Sequence, residues 1–432
     1  MRPLTRIEFE VSTVLVSIMV AFPIMLMNAD QQALGLSQKL VSSSASPSQS
    51  STVTLTSTLV VTAANDDQTF SNYKISSSSG DCVLIQGATN VTFDNSEVGP
   101  CGTNNTTSLS NGIHITASRG INVYDSYIHV ENLASGCCDT HDGILVESSS
   151  NINIQGNVIA YNESNVELTG GGVSSVKVIG NYLLNPRGPY PRGQNFQSWG
   201  TSNNFNSSIT VSNNYALSCT IGGAIGIECP ATGPRYLYSE VQEDSINFGF
   251  TNGFVIESNY VKGGHSPSGC GLIADDSANS GHFLSNIIFN TGQCGIGIAT
   301  GTNHLVSGNR ILNLNPIDGA GNTALYLWNQ YSSSCSGIIV SNNTVSGLKF
   351  PIGCNPSVQS CSFSSFWNAG NCGAVSASGN TFDNRTYSAG GGPAFRALNS
   401  VVPSSAPLIP PLPKNCVARS PHSNQTSLPA CK

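Results

Sequence analysis

Apolar and polar residues alternate in short bursts along this chain, and the bursts recur. Between residues 91 and 380 ten phrases share one form, apolar positions alternating and then small or polar residues ending on Ser or Asn. They are VTFDNS to Ser96, INVYDS to Ser126, INIQGN to Asn157, VKVIGN to Asn181, ITVSNN to Asn214, FVIESN to Asn259, HFLSN to Asn286, HLVSGN to Asn309, IIVSNN to Asn343 and VSASGN to Asn380. A period of two marks strands that bury one face. The spacing varies too much for helical hairpin arrays and suits a solenoid with fixed strands and variable turns. The pattern predicts an all-β chain, a right-handed parallel β-helix of about ten coils, its hand following the preference of parallel crossovers. Asn at a bend tolerates left-handed backbone angles and bonds through its amide, so these Asn are expected to stack in one structural ladder.

A second strand set precedes the first in each coil: GDCVLIQ, NGIHITA, DGILVES, SNVELTG, QNFQSWG, DSINFGF, CGLIADD, CGIGIAT and TALYLWN. Placing Val83, Ile113, Ile144, Val166, Phe196, Ile246, Leu272, Ile296 and Leu325 inward turns two columns outward, because side chains alternate along a strand. One column holds His114, Glu167, Gln197, Asn247 and Tyr326. The other, two residues on, holds Glu147, Trp199, Asp275 and Trp328. For a chain with 9% charged residues, this is an unusual concentration of carboxylates, amides and aromatic rings on one wall. Rings stack on sugar faces and polar groups meet hydroxyls, so a polysaccharide is the expected partner, against the plainer reading of a solvated sheet face.

Composition narrows the rest. Low charge and 44 glycines fit strands joined by tight turns. A net charge of −7 argues against nucleic acid or an anionic membrane as partner. Residues 11–27 form an uncharged apolar run behind Arg2 and Arg6, read within residues 1–35 as a signal peptide or, if uncleaved, an N-terminal membrane anchor. Either way the body faces an extracytoplasmic space. Residues 36–64 read as a Ser/Thr-rich linker and cap with a first strand within 52–63, residues 65–388 as the β-helix, and 389–432 as a Pro-rich tail. Fourteen cysteines fit an oxidising compartment. Cys82/Cys101, Cys219/Cys229, Cys335/Cys354, Cys361/Cys372 and Cys416/Cys431 are close enough in sequence to pair. Cys270 and Cys294 open similar phrases and should stack on adjacent coils. Cys137 and Cys138 have no evident partner, and no spacing resembles a zinc site.

Three chemistries compete on the wall. Glu147 and Glu167 fall on consecutive coils, offset by two positions, which puts their Cα atoms about 8 Å apart, inside the separation that inverting glycosidases use. With Asp275 they are the candidate catalytic residues. Elimination of a uronic acid polymer would instead need a base and a cation to neutralise the uronate, for which Arg187 and Arg192 in the loop PRGPYPRG, Lys262, His265 and His114 are candidates. Gln197, Trp199, Asn247, Tyr326 and Trp328, with the two arginines, are the expected substrate-binding set. The sequence specifies no cofactor, and Ca²⁺ is the one it leaves open. Glu240, Glu243, Asp244 and Asp276 could offer oxygen ligands to Ca²⁺, although Asp244 aligns with Asp142 before a strand, where a carboxylate commonly caps a turn.

The phrase set over residues 65–388 resembles the right-handed parallel β-helix proteins of the pectate-lyase-like superfamily. The resemblance implies extracellular polysaccharide cleavage, by β-elimination or by hydrolysis. NPRGPYPRGQ (185–194), EDSINF (243–248), CGIGIAT (294–300), LWNQY (327–331) and FWNAGNCG (366–373) are similar to segments of secreted bacterial β-helix proteins. Asp275-Asp276 and Gly281-His282 look like pieces of polygalacturonase signatures but are not on successive coils, so no role is carried over. The expectation is a secreted glycan-cleaving protein, hydrolysis ahead of elimination. The alternative is a non-catalytic β-helix that binds glycan or serves as a surface stalk.

Overall fold

The structure is a computed structural model. It describes residues 52–102, 110–129, 142–186, 193–218, 242–264, 269–289, 291, 293–313, 323–331, 333–347, 361–362, 365–382, 386–387, 416–418 and 429–431. Within them the chain winds as a right-handed parallel β-helix. Sheet I runs over twelve strands from Val53–Leu55 to Thr381–Phe382, sheet II over eleven from Leu59–Val61 to Phe366–Asn368, and sheet III over eleven from Thr69–Ser71 to Val375–Ser378. Each coil visits sheets II, III and I in turn. Strands of the first coil already occur at Val53–Leu55 and Leu59–Val61, inside the stretch whose composition reads as linker and cap. A short antiparallel pair sets Cys416 opposite Cys431 in the C-terminal tail.

Alternation explains the core. Val83 and Ile85 are fully buried while Leu84 and Gln86 between and after them are not. The alternation recurs at Ile113–Thr116, Val166–Thr169 and Phe196–Trp199, whereas Ile246–Gly249, Cys270–Ala274, Cys294–Ile298 and Thr323–Leu327 are buried on both faces. Where the coil interior widens, phenylalanines fill it: Phe248 stacks on Phe254 at 4.1 Å, and Phe283 meets Phe254 edge-on at 5.8 Å.

The bend from sheet III to sheet I carries the expected ladder. The amide Nδ2 of Asn157 donates to Oδ1 of Asn181 at 3.0 Å, and the same bond repeats from Asn181 to Asn214, Asn259, Asn286, Asn309, Asn343 and Asn380. Ser96 and Ser126 continue it at the N-terminal end, where hydroxyls accept from backbone N–H groups. The left-handed residue is the one before each ladder position. Asn95, Asp125, Asn213, Ser258, Ser285 and Asn342 all have φ between 43° and 56°. The backbone twist and the amide bonding are therefore divided between two neighbouring residues, which is why the phrases end in paired small or polar residues.

Disulfides join Cys82 to Cys101, Cys270 to Cys294 and Cys335 to Cys372. The first two match the sequence reading. The third corrects the pairings Cys335/Cys354 and Cys361/Cys372: Gly301–Thr302 pairs in parallel with Cys335–Ser336, and the coil above brings Cys372 to a Cα separation of 4.4 Å from Cys335. Cys137, Cys138, Cys219, Cys229 and Cys354 lie outside the described residues. Three such bonds fit an oxidising, extracytoplasmic compartment. Among the described residues no helix is long and apolar enough to cross a membrane; residues 11–27 lie outside them.

Candidate functional site

Sheet II aligns its outward side chains as strand parity requires. Leu84, His114, Leu145, Glu167, Gln197, Asn247, Ile273, Gly297 and Tyr326 are register partners from coil to coil, and Trp367 extends the column. Glu147 pairs with Thr169, one coil from Glu167 and two positions along, and Thr169 pairs with Trp199.

The turns before these strands hold a second ladder that the sequence reading left unexplored. Asp81 Oδ1 accepts from the Asn111 backbone at 2.7 Å, Asn111 Oδ1 accepts from the Asp142 backbone at 3.1 Å, and Asp142 Oδ1 accepts from the Ser164 backbone at 3.2 Å. Asp244 Oδ1 likewise accepts from the Cys270 backbone at 2.6 Å. Aligning residues two positions before each inward apolar residue would have found this column. Each capping carboxyl has a second oxygen, and that oxygen serves the wall.

At the N-terminal end, Asp81 Oδ2 lies 3.1 Å from His114 Nδ1, and His114 Nε2 lies 2.9 Å from Glu147 Oε2. Burial works against a charged ring, but the hydrogen bonds to Asp81 and Glu147 outweigh it and raise the His114 pKa. One coil on, burial above all, then the charges of Glu167 and Glu163, pushes Asp142 well above the usual carboxylate range, which favours its neutral, protonated form.

Further along, the Asn247 amide bridges two acids, donating to Asp244 Oδ2 at 2.7 Å and Asp275 Oδ2 at 3.1 Å. Tyr331 donates its hydroxyl to Asp275 Oδ1 at 2.5 Å. Burial raises Asp275 despite these donors, and burial with the charges of Glu243 and Asp275 raises Asp244 further. Asp244 thus uses both oxygens on hydrogen bonds, the capping role its alignment with Asp142 suggested. Among the described residues no three or more His, Cys, Asp or Glu side chains cluster in a way that could hold a metal ion.

Two aromatic rings lie along the wall because glycine occupies the adjacent coil. A Cβ on Gly249 would stand 2.4 Å from the Trp199 ring, and one on Gly297 would stand 2.6 Å from Tyr326. Trp199 and Gln197 are half-buried, as are Glu147, Glu167 and Asp275. Trp328 is 41% exposed and packs at 5.6 Å from Trp367, a ring the sequence reading did not place on the wall.

The expectation that all these side chains meet solvent is corrected at two positions. Asn247 is 1% and Tyr326 4% exposed. Both face outward, but Asn247 is held between two acids and Tyr326 packs with Cys270, Ile273, Ala299 and Tyr331. Asp275 is also too far from the glutamates to share a bond with them. It stands three coils beyond Glu167, about 14 Å by coil spacing. Arg187, Arg192, Glu240 and His265 lie outside the described residues. Lys262 belongs to sheet I, over the Phe289 ring at 5.2 Å, not to this wall. A depression of about 300 Å³ on sheet III, lined by Asn122, Asn153 and Lys177 among others, brings no carboxyl pair together.

The molecule is thus defined as a parallel β-helix protein carrying an acid- and aromatic-lined sheet. No family model and no curated protein matches the chain. Solved structures do. The Dettilon tailspike protein is similar at 14% identity and a TM-score of 0.46, over 75% of this chain and 60% of its own. The DFA-IIIase of Arthrobacter chlorophenolicus A6 is similar at 14% identity and 0.44, over 70% of this chain and 67% of its own. The periplasmic alginate epimerase AlgG is similar at 9% identity and 0.42, over 76% of this chain and 77% of its own.

Proposed function

We propose that this protein cleaves glycosidic bonds in an extracellular polysaccharide by hydrolysis, with the sugar chain lying along sheet II. The observation that carries the reading is the buried Asp142 carboxyl, held well above the usual carboxylate range beside Glu167, one coil from Glu147. A general acid for glycoside cleavage must hold its proton near neutral pH, and a buried carboxyl beside a second one does so. Asp142 lies beneath and Glu167 above, so Glu167 delivers the proton to the leaving oxygen and Asp142 stores it. Glu147, held by the His114 ring, acts as base toward a water. The one-coil and two-residue offset puts their Cα atoms about 8 Å apart, and a water held between the two carboxyls would give inversion at the anomeric carbon. Trp199 gives a sugar ring a flat apolar surface, and Gln197 offers amide bonds to hydroxyls. Elimination finds less support, since among the described residues no lysine or arginine stands on this sheet to neutralise a uronate.

The test is incubation with neutral, amine-bearing and uronic polysaccharides, followed by reducing-end and unsaturated-uronate assays. New reducing ends without the unsaturated chromophore are expected. The chromophore would replace hydrolysis by elimination, and binding with no new ends would replace cleavage by glycan attachment.

A further inference from the structure

The charge of the wall constrains what can lie on it. Along the described part of sheet II and the turns before its strands, acids run from Asp81 to Asp275, while the one basic side chain described there is His114. A polymer of uronates would meet like charge along its whole length. The region around Asp275 goes further, because its hydrogen bonding is unbalanced. Asn247 spends both N–H groups on Asp244 and Asp275, and its carbonyl Oδ1 is buried with no donor among the described residues. Such an orphaned acceptor costs free energy until a donor arrives. Tyr326 and Tyr331 border the same cluster, and Asp275 and Tyr331 remain partly open to solvent.

An ammonium group has three N–H donors and no acceptor, and aromatic rings attract it. A hydroxyl would bring an acceptor into a place that already has too many. We infer that the wall takes a polysaccharide of amino sugars with free amines, and that Asp275 and Tyr331, with the buried Asn247 behind them, seat one of its ammonium groups. This rests on the reading of sheet II as a glycan-binding surface and names the substrate class.

The experiment is calorimetric titration of the purified protein with three oligomers of equal length: β-1,4-linked glucosamine, the same chain fully N-acetylated, and oligogalacturonate. The amine chain is expected to bind at least about tenfold more tightly than the acetylated one, the scale of one lost ionic contact, with affinity falling as salt rises. Oligogalacturonate is expected not to bind. Asp275→Asn, with its melting temperature checked, is expected to bring the two affinities close to equality. The three-ligand comparison needs no variant, so a misfolded Asp275→Asn does not remove the test. Equal affinity for the amine and acetylated chains, preference for oligogalacturonate, or no binding at all overturns the inference. Binding of the amine chain without its cleavage supports the inference while defeating hydrolysis. Cleavage of oligogalacturonate does the reverse.

Discussion

His304 and His114 are pulled in opposite directions by their surroundings. His304 is buried, its Nδ1 accepting from the Gly281 backbone at 3.0 Å and its Nε2 facing the Ala278 and Thr300 carbonyls at 3.1 Å. Burial dominates and lowers its pKa to about 4. The folded state therefore prefers the neutral ring. Its stabilisation is fully present above the ordinary value near 6.5 and is lost as pH falls toward 4, by about 3 kcal/mol in all. Urea midpoints should fall as pH is lowered across that window in the wild type, and fall less in His304→Gln. For His114 the sign reverses: stabilisation is present at low pH and lost as pH rises through its raised pKa. At the proposed catalytic residues, Glu167→Gln and Glu147→Gln should each slow hydrolysis by roughly a thousandfold with little change in melting temperature. Near wild-type turnover from both would remove the assignment. Glu147 and Glu167 were legible as a pair because strand parity puts both outward. Their partners Asp81 and Asp142 were not, since a carboxylate before a strand reads equally well as a turn cap, and here it is both.

At the level of the repeating element, the Asn ladder binds one coil to the next through groups that have no other partner. Asn259 donates to the Val211 carbonyl at 2.8 Å and to Asn286, and accepts from both the backbone and the side chain of Asn214. Asn259→Ala would leave several buried donors and acceptors unpaired at once, a loss of about 3–5 kcal/mol. Asn380, at the part-buried end of the ladder, should lose closer to about 1 kcal/mol on the same change. Chemical denaturation of the two variants checks the contrast, and equal losses would mean that the ladder does not stabilise through burial. The ladder was readable from the phrase endings because each repeats the same short-range geometry. The cover over Asn247 and Tyr326 was not, because it comes partly from the turns flanking their own strands, Asp244 for the first and Tyr331 for the second, and partly from other coils, Asp275 and Ile273. Alternation gives the direction of a side chain, not what lies above it.

Across the whole molecule each coil touches chiefly the coils before and after it, so stability is a sum of local terms and weakens where a neighbour is missing. The last described coil fits this, with Phe366, Trp367, Val375 and Phe382 only partly buried against the core. Native-state hydrogen exchange should find the amides of Asn214 and Asn259 slowest, with protection falling toward Val53–Leu55 and Thr381–Phe382. Uniform protection would indicate one cooperative unit instead. The register of sheet II has a consequence for recognition as well. Coils climb in equal steps of about 4.8 Å, however long their turns, so the wall is graduated like a scale. A polymer laid on it carries a scale of its own, and two unequal scales come into phase only at intervals, as on a vernier. On the reading proposed above, Glu147 with Glu167 and, higher up, Asp275 with Tyr331 are two such marks, and a bound chain would be indexed by the fit of its own repeat to the interval between them.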